Sequence, residues 1–113
     1  MSLRKERLAD EIRDIVGSFF RGGVLNDPRL EQVTITAAKI SGDLQVASLY
    51  YRIFSDNPND VKAAQKGLER AASLFRRKLA DSLDLRRVPE LRFFYDESIE
   101  RGSHIEKLLD ELK

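Results

Sequence analysis

The spacing of hydrophobic residues switches repeatedly between a helical and an alternating period, and this constrains the fold more than any single motif. From Leu3 to Phe20, Leu8, Ile12, Ile15, Val16 and Phe19 recur at intervals of mostly three and four, with Arg7, Glu11, Arg13 and Asp14 between them, as in an amphipathic helix. Gly22-Gly23 is expected to stop it. Asn26-Asp27-Pro28 reads as a turn, after which Val33 to Ile40 alternates Val33, Ile35 and Ala37 against Thr34, Thr36 and Ala38. Ser41-Gly42-Asp43 turns the chain into a second β-favouring run, Leu44 to Phe54, so the two strands should pair as an antiparallel hairpin. On the second strand Ala47, Leu49, Tyr51 and Ile53 make the more apolar face, and the other face carries Ser48 and Arg52.

Helical spacing returns after Asp56-Asn57-Pro58-Asn59-Asp60, a cluster of turn formers that offers an N-cap to a helix beginning near Asp60. Val61, Ala64, Leu68, Ala71, Ala72, Phe75 and Leu79 fall on one side of this helix. Lys62, Lys66, Arg70, Ser73, Arg76 and Arg77 fall on the other. Leu74 lies off the apolar stripe, which leaves room for a bend between Ala71 and Leu74. A turn follows before Pro89, and Leu91 to Tyr95 forms a third strand with an aromatic on each face. Ile105, Leu108, Leu109 and Leu112 then predict a short final helix.

This order, helix, strand, strand, helix or two, strand, helix, predicts an α+β two-layer domain, a three-stranded sheet with helices on one face. If the third strand runs parallel to its neighbour, its helical crossover should be right-handed. The 113 residues suffice for one domain with one core, spanning 1–113, and exclude a multidomain enzyme. No apolar run approaches the roughly 20 residues of a membrane-spanning helix, and Met1 to Asp10 is charged rather than signal-like. A cytoplasmic protein without a membrane partner is expected. The absence of cysteine excludes disulfides, thiolate zinc sites and cysteine nucleophiles together.

The formal net charge of +1 points to no partner, but the charge is unevenly distributed. Residues 62–87 carry eight basic and three acidic side chains, while the segments on either side are weakly acidic. Such a segment presents a local field to a polyanion, because screening removes the rest beyond about 8 to 10 Å. Lys62, Lys66, Arg70 and Arg77, spaced four, four and seven apart, share one helical sector that Arg76 flanks, which suits a track of phosphates. The plain alternative is a solvated face opposite the core. Of acids only Glu69 and Asp81 interrupt it, whereas a purely solubilising face usually mixes signs.

Catalytic readings find little support. There is no serine elbow, no phosphate-binding glycine loop of Walker spacing and no second histidine to join His104. The carboxylate clusters Asp10 with Asp14, and Asp96 with Glu97 and Glu100, fit solvated faces and helix capping better than a magnesium site. No metal, cofactor, small-molecule substrate or enzymatic activity is expected. Tyr50, Tyr51, Phe93 and Phe94 lie on strands, where aromatics can stack RNA bases but more often fill a core; Tyr50 and Phe94 are the two least committed to burial.

Three segments in register carry a family resemblance: Asp27-Pro28-Arg29-Leu30, Ser41-Gly42-Asp43-Leu44, and the eleven residues from Val88 to Ser98, Val-Pro-Glu-Leu-Arg-Phe-Phe-Tyr-Asp-Glu-Ser. Together they resemble ribosome-binding factor A, a bacterial small-subunit assembly factor family, over almost the whole chain. The resemblance implies a type II KH-like fold, ordered α-β-β-α-(kink)-α-β-α. KH domains bind nucleic acid at a Gly-x-x-Gly loop between two helices, and this chain has none. The family resembled replaces that loop with a kink at an Ala-x-Gly element, matched here by Ala71-Ala72-Ser73, with serine where glycine is usual.

The implied function is non-catalytic binding to the 30S subunit and its 16S rRNA, assisting late maturation, 5′-end processing and growth in the cold, by a monomer. The expected RNA contacts are Lys66, Arg70, Ala71, Ala72, Ser73, Arg76, Arg77, Lys78, Arg86 and Arg87, with Arg4 and Lys5 as outer contacts. Lys78 lies off the basic sector of a straight helix and belongs there only if a kink near Ser73 rotates it. The alternative is a protein-interaction module that docks through a sheet edge or the final helix, its basic face merely solvated.

Overall fold

The computed structural model describes residues 3–21, 25, 27–55, 57–83 and 87–97. They form helix α1 (Leu3–Arg21), a 3-10 turn (Pro28–Leu30), strands β1 (Thr34–Ile40) and β2 (Val46–Arg52), helix α2 (Pro58–Ser82) and strand β3 (Glu90–Tyr95). This is the α+β order expected. The helix expected at Ile105 to Leu112 lies outside the described residues, as do Gly22, Gly23, Asn26, Asp56, Arg86, Glu100 and His104.

β2 is the central strand, antiparallel to β1 and parallel to β3. A parallel neighbour requires a long crossover, which α2 supplies. The strands are shorter than the apolar runs that predict them: Val33, Leu44 and Phe54 all lie outside. Leu44 sits in the hairpin turn at φ 63°, and Phe54, beyond the end of β2, is 86% exposed. Asp43 organises that turn, its Oδ1 accepting from the Ser41 hydroxyl at 2.6 Å and from Gln45 N at 3.1 Å. These bonds hold the Asp43 carboxyl below the ordinary carboxylate value, the Ser41 bond contributing most.

The alternation expected in β1 fails at one place. The register shifts between Ile35 and Ala37, a bulge that changes the phase of the strand, so Ala38 rather than Ala37 joins Ile35 and Ile40 against the core. In β2 and β3 the alternation holds: Ala47, Leu49, Tyr51, Leu91 and Phe93 are buried beneath the helices, while Ser48, Tyr50, Arg92 and Phe94 lie on the opposite face.

The core fills the layer between this face and the two helices. Ile12 and Val16 of α1 and Leu68, Phe75 and Leu79 of α2 are fully buried. Phe75 is the hub, its ring 5.8 Å from Phe19, 5.6 Å from Phe20 and 5.8 Å from Phe93, so one side chain joins α1, α2 and β3. Tyr51 is also fully buried and satisfies its hydroxyl by donating to Gln65 Oε1 at 2.7 Å. Burial pushes the Tyr51 phenol up to about 12.

α2 begins at Pro58, before the expected Asp60, because Asn57 caps it: Asn57 Oδ1 accepts from Asn59 N at 2.9 Å and proline suits the first helical position. It continues as one α-helix to Ser82. The two helical segments expected around Ala71-Ala72-Ser73 are therefore a single element. No glycine or proline stands there to break the ladder, and Ala71, Ala72 and Phe75 below them are packed against the core.

Candidate nucleic-acid interface

An amphipathic helix packed on a sheet must turn its other side to water, and on α2 that side is cationic. Lys62, Lys66, Arg70, Ser73, Arg76 and Arg77 are all exposed. Glu69 is exposed within the same sector, and Gln65 Nε2 donates to its Oε1 at 3.2 Å. No ion pair between described residues neutralises Lys62, Lys66, Arg70, Arg76 or Arg77.

Past Ser73 the stripe meets the segment leading to β3. Arg76 Nη2 donates to Val88 O at 3.1 Å, tying the helix to that segment. Ser73, Arg76, Arg77, Arg87 and Val88 line an open cleft of about 610 Å³, three of whose five lining residues are arginines. Such a cleft favours an anion with several acceptor oxygens, because guanidinium forks can donate to two of them at once.

The other expected contacts divide. Ala71 and Ala72 are half-buried and packed against the core, so the stripe passes over their edge. Lys78 is half-buried with Nζ 5.9 Å from the Phe19 ring centroid, on the side toward α1. On a helix that continues unbroken past Ser73, Lys78 thus lies toward α1, beside the exposed cationic sector rather than within it. Arg4 is exposed and Lys5 half-buried; both line a cleft with Gly42 and Leu44 beside the hairpin turn rather than the Arg76 cleft. Asp10 and Asp14 both face Arg13, at 3.6 and 3.2 Å.

Two residues support α2 through contacts that the sequence does not reveal, although Asp27 itself stands in the expected turn. Asp27 accepts from Arg29 N at 3.0 Å and is gripped by the Arg29 side chain, with Nη2 to Oδ2 at 2.6 Å. Chiefly these side-chain bonds hold the Asp27 carboxyl below its ordinary value, and the charge of Arg70 adds to the shift against the opposing effect of burial. Gly67 lets this turn approach α2, since a Cβ there would lie 3.0 Å from Leu30 Cδ2 and 3.2 Å from Asp27 Oδ2. The Asp-Pro-Arg-Leu motif was the available signal, but its seat on Gly67 is a tertiary contact.

Element order, sheet topology and the helices on one face define a KH-like domain whose second helix carries the charge. The profile of the family described as Ribosome-binding factor A matches residues 4–109. A protein of that name from Leuconostoc mesenteroides is 44% identical over 110 residues, covering 96% of this chain and 92% of the relative. The crystal structure of ribosome-binding factor A from Thermus thermophilus aligns with a TM-score of 0.71 at 28% identity, covering 80% of this chain and 93% of that one. Coordinates of the Thermus thermophilus factor fitted into an electron cryo-microscopy map of a 30S complex align with a TM-score of 0.67 at 28% identity, covering 83% and 97%. The chain belongs to the ribosome-binding factor A family.

Proposed function

We propose that this chain is a single RNA-binding domain that acts in the cytoplasm as a monomer, binding 16S rRNA within the immature 30S subunit through the solvent face of α2. Lys66, Arg70, Ser73, Arg76, Arg77 and Arg87 make the contacts, with Arg86 beside them in the sequence. The observation that carries this reading is the row of exposed cations on α2 running into the cleft of Arg76, Arg77 and Arg87. Cations without ion-pair partners among the described residues can exchange counterions for phosphates without first breaking an ion pair. The fit of a related protein into a 30S complex supports the choice of partner.

The factor works by binding energy alone. A ligand that binds one rRNA conformation more tightly than another shifts the population toward it, which would assist late maturation, 5′-end processing and assembly in the cold without bond-breaking chemistry. The test is a photo-crosslinker at Ser73 in purified immature subunits. Crosslinks to 16S rRNA are expected; crosslinks confined to ribosomal proteins, with binding that survives nuclease and high salt, would instead favour a protein-docking module.

A further inference from the structure

The face of the sheet turned away from the helices has a composition that the α2 interface leaves unexplained. Tyr50 and Phe94 are register partners on β2 and β3, their ring centroids 5.8 Å apart, and Ala37 is the register partner of Tyr50 on β1. Phe94 is 44% exposed. Two residues along each strand, on the same face, Lys39, Ser48 and Arg92 form the neighbouring row. Lys39 Nζ reaches back to 5.7 Å from the Tyr50 ring centroid.

The carboxylates on this face already hold donors. Glu90 Oε2 accepts from Arg92 Nη2 at 3.3 Å, and Asp96 Oδ2 accepts from the Thr36 hydroxyl at 2.7 Å. An arginine fork has five N–H donors, so the Glu90 contact leaves most of the Arg92 guanidinium available.

We propose that Tyr50 and Phe94 form a stacking platform for unpaired RNA bases, with Lys39 and Arg92 taking the adjoining phosphates. An aromatic row beside a cationic row is the combination that single-stranded nucleic acid requires, a π-face for each base and charge for the backbone that links them. An apolar protein partner fits less well, because Thr34, Thr36, Ala37 and Ser48 surround the two rings and lysine is depleted at protein interfaces. The proposal rests on the RNA-binding reading only for the kind of ligand. The surface is different, since the cations of α2 point away from the sheet that α2 covers. The domain would then hold RNA on both of its layers, duplex or backbone at α2 and unpaired bases on the sheet.

The chain contains no tryptophan, so Phe94→Trp introduces a single indole reporter. Titration with a short single-stranded oligoadenylate should quench its fluorescence, and an RNA duplex of equal length should not. In the otherwise natural chain, Tyr50→Ser with Phe94→Ser should weaken oligoadenylate binding about tenfold or more at an unchanged circular dichroism spectrum, and Phe94→Tyr should restore it. Arg70→Ala, Arg76→Ala and Arg77→Ala together should leave the indole quench in place, which separates failure of this surface from failure of the α2 interface. Absence of quenching, or equal affinity of the serine variant, overturns the proposal. So does self-association or nuclease-resistant binding to ribosomal proteins that the serine variant abolishes.

Discussion

Gly67 of α2 and Leu30 of the 3-10 turn meet so closely that a methyl group on the glycine would stand 3.0 Å from Leu30 Cδ2. Leu30 is buried and Asp27, the second neighbour, is locked to Arg29, so neither has free room to yield. Gly→Ala inside a helix ordinarily gains up to about 1 kcal/mol, whereas overpacking costs about 1 to 3. Gly67→Ala should therefore lower stability by about 1 kcal/mol in urea denaturation. A variant more stable than the natural chain would show that the turn relaxes and is not seated by Gly67.

Asp27 ties that turn together as a carboxylate. Its folded-state pKa lies below the ordinary value, so its contribution is fully present above about pH 4 and is lost as the pH falls through the depressed value. Asp27→Asn should remove this part of the acid limb, giving a shallower loss of stability below pH 4 from a lower starting point. Parallel acid profiles for the two proteins would contradict the assignment.

Tyr51 acts at the other end of the scale. Its phenol titrates near 12 when folded against about 10 unfolded, so the stability it contributes is whole below pH 10 and declines as the pH rises toward 12, by roughly 3 kcal/mol in all. Tyr51→Phe should flatten the alkaline limb of a denaturant-midpoint profile, while phenolate absorbance of the natural chain should show one tyrosine ionising late. An unaltered limb in the variant would sink this account.

Lys78 separates packing from RNA contact within the same basic segment. Poised over Phe19, it should lose about 0.5 to 1 kcal/mol of stability on change to alanine, with no change in the salt dependence of subunit binding. A lowered salt slope for Lys78→Ala would return it to the interface.

How much of this was legible in the sequence depends on the range of the interaction. The face of β2 with Ala47, Leu49 and Tyr51, the hairpin, and the cationic side of α2 follow from spacing, because periodicity maps directly onto burial. A helix between two strands allows the parallel pairing of β3 without requiring it. What spacing does not carry is tertiary: the bulge between Ile35 and Ala37, the continuity of α2 past Ser73, and the close seat of Leu30 on Gly67. At Gly67 local propensity even points the wrong way, since alanine is the better helix former. For the interface, the residue types and the sector were readable. The cleft was not, because it needs Arg76 to reach Val88 twelve positions away in the chain.

The central claim is that the exposed cations of α2 bind ribosomal phosphates. Arg70→Ala, Arg76→Ala and Arg77→Ala combined in one correctly folded chain, titrated with small subunits over a series of salt concentrations, test it most directly. The account predicts weaker binding and a log-affinity against log-salt slope reduced by about 0.7 to 0.9 per lost phosphate contact. Affinity and slope equal to those of the natural chain would contradict it.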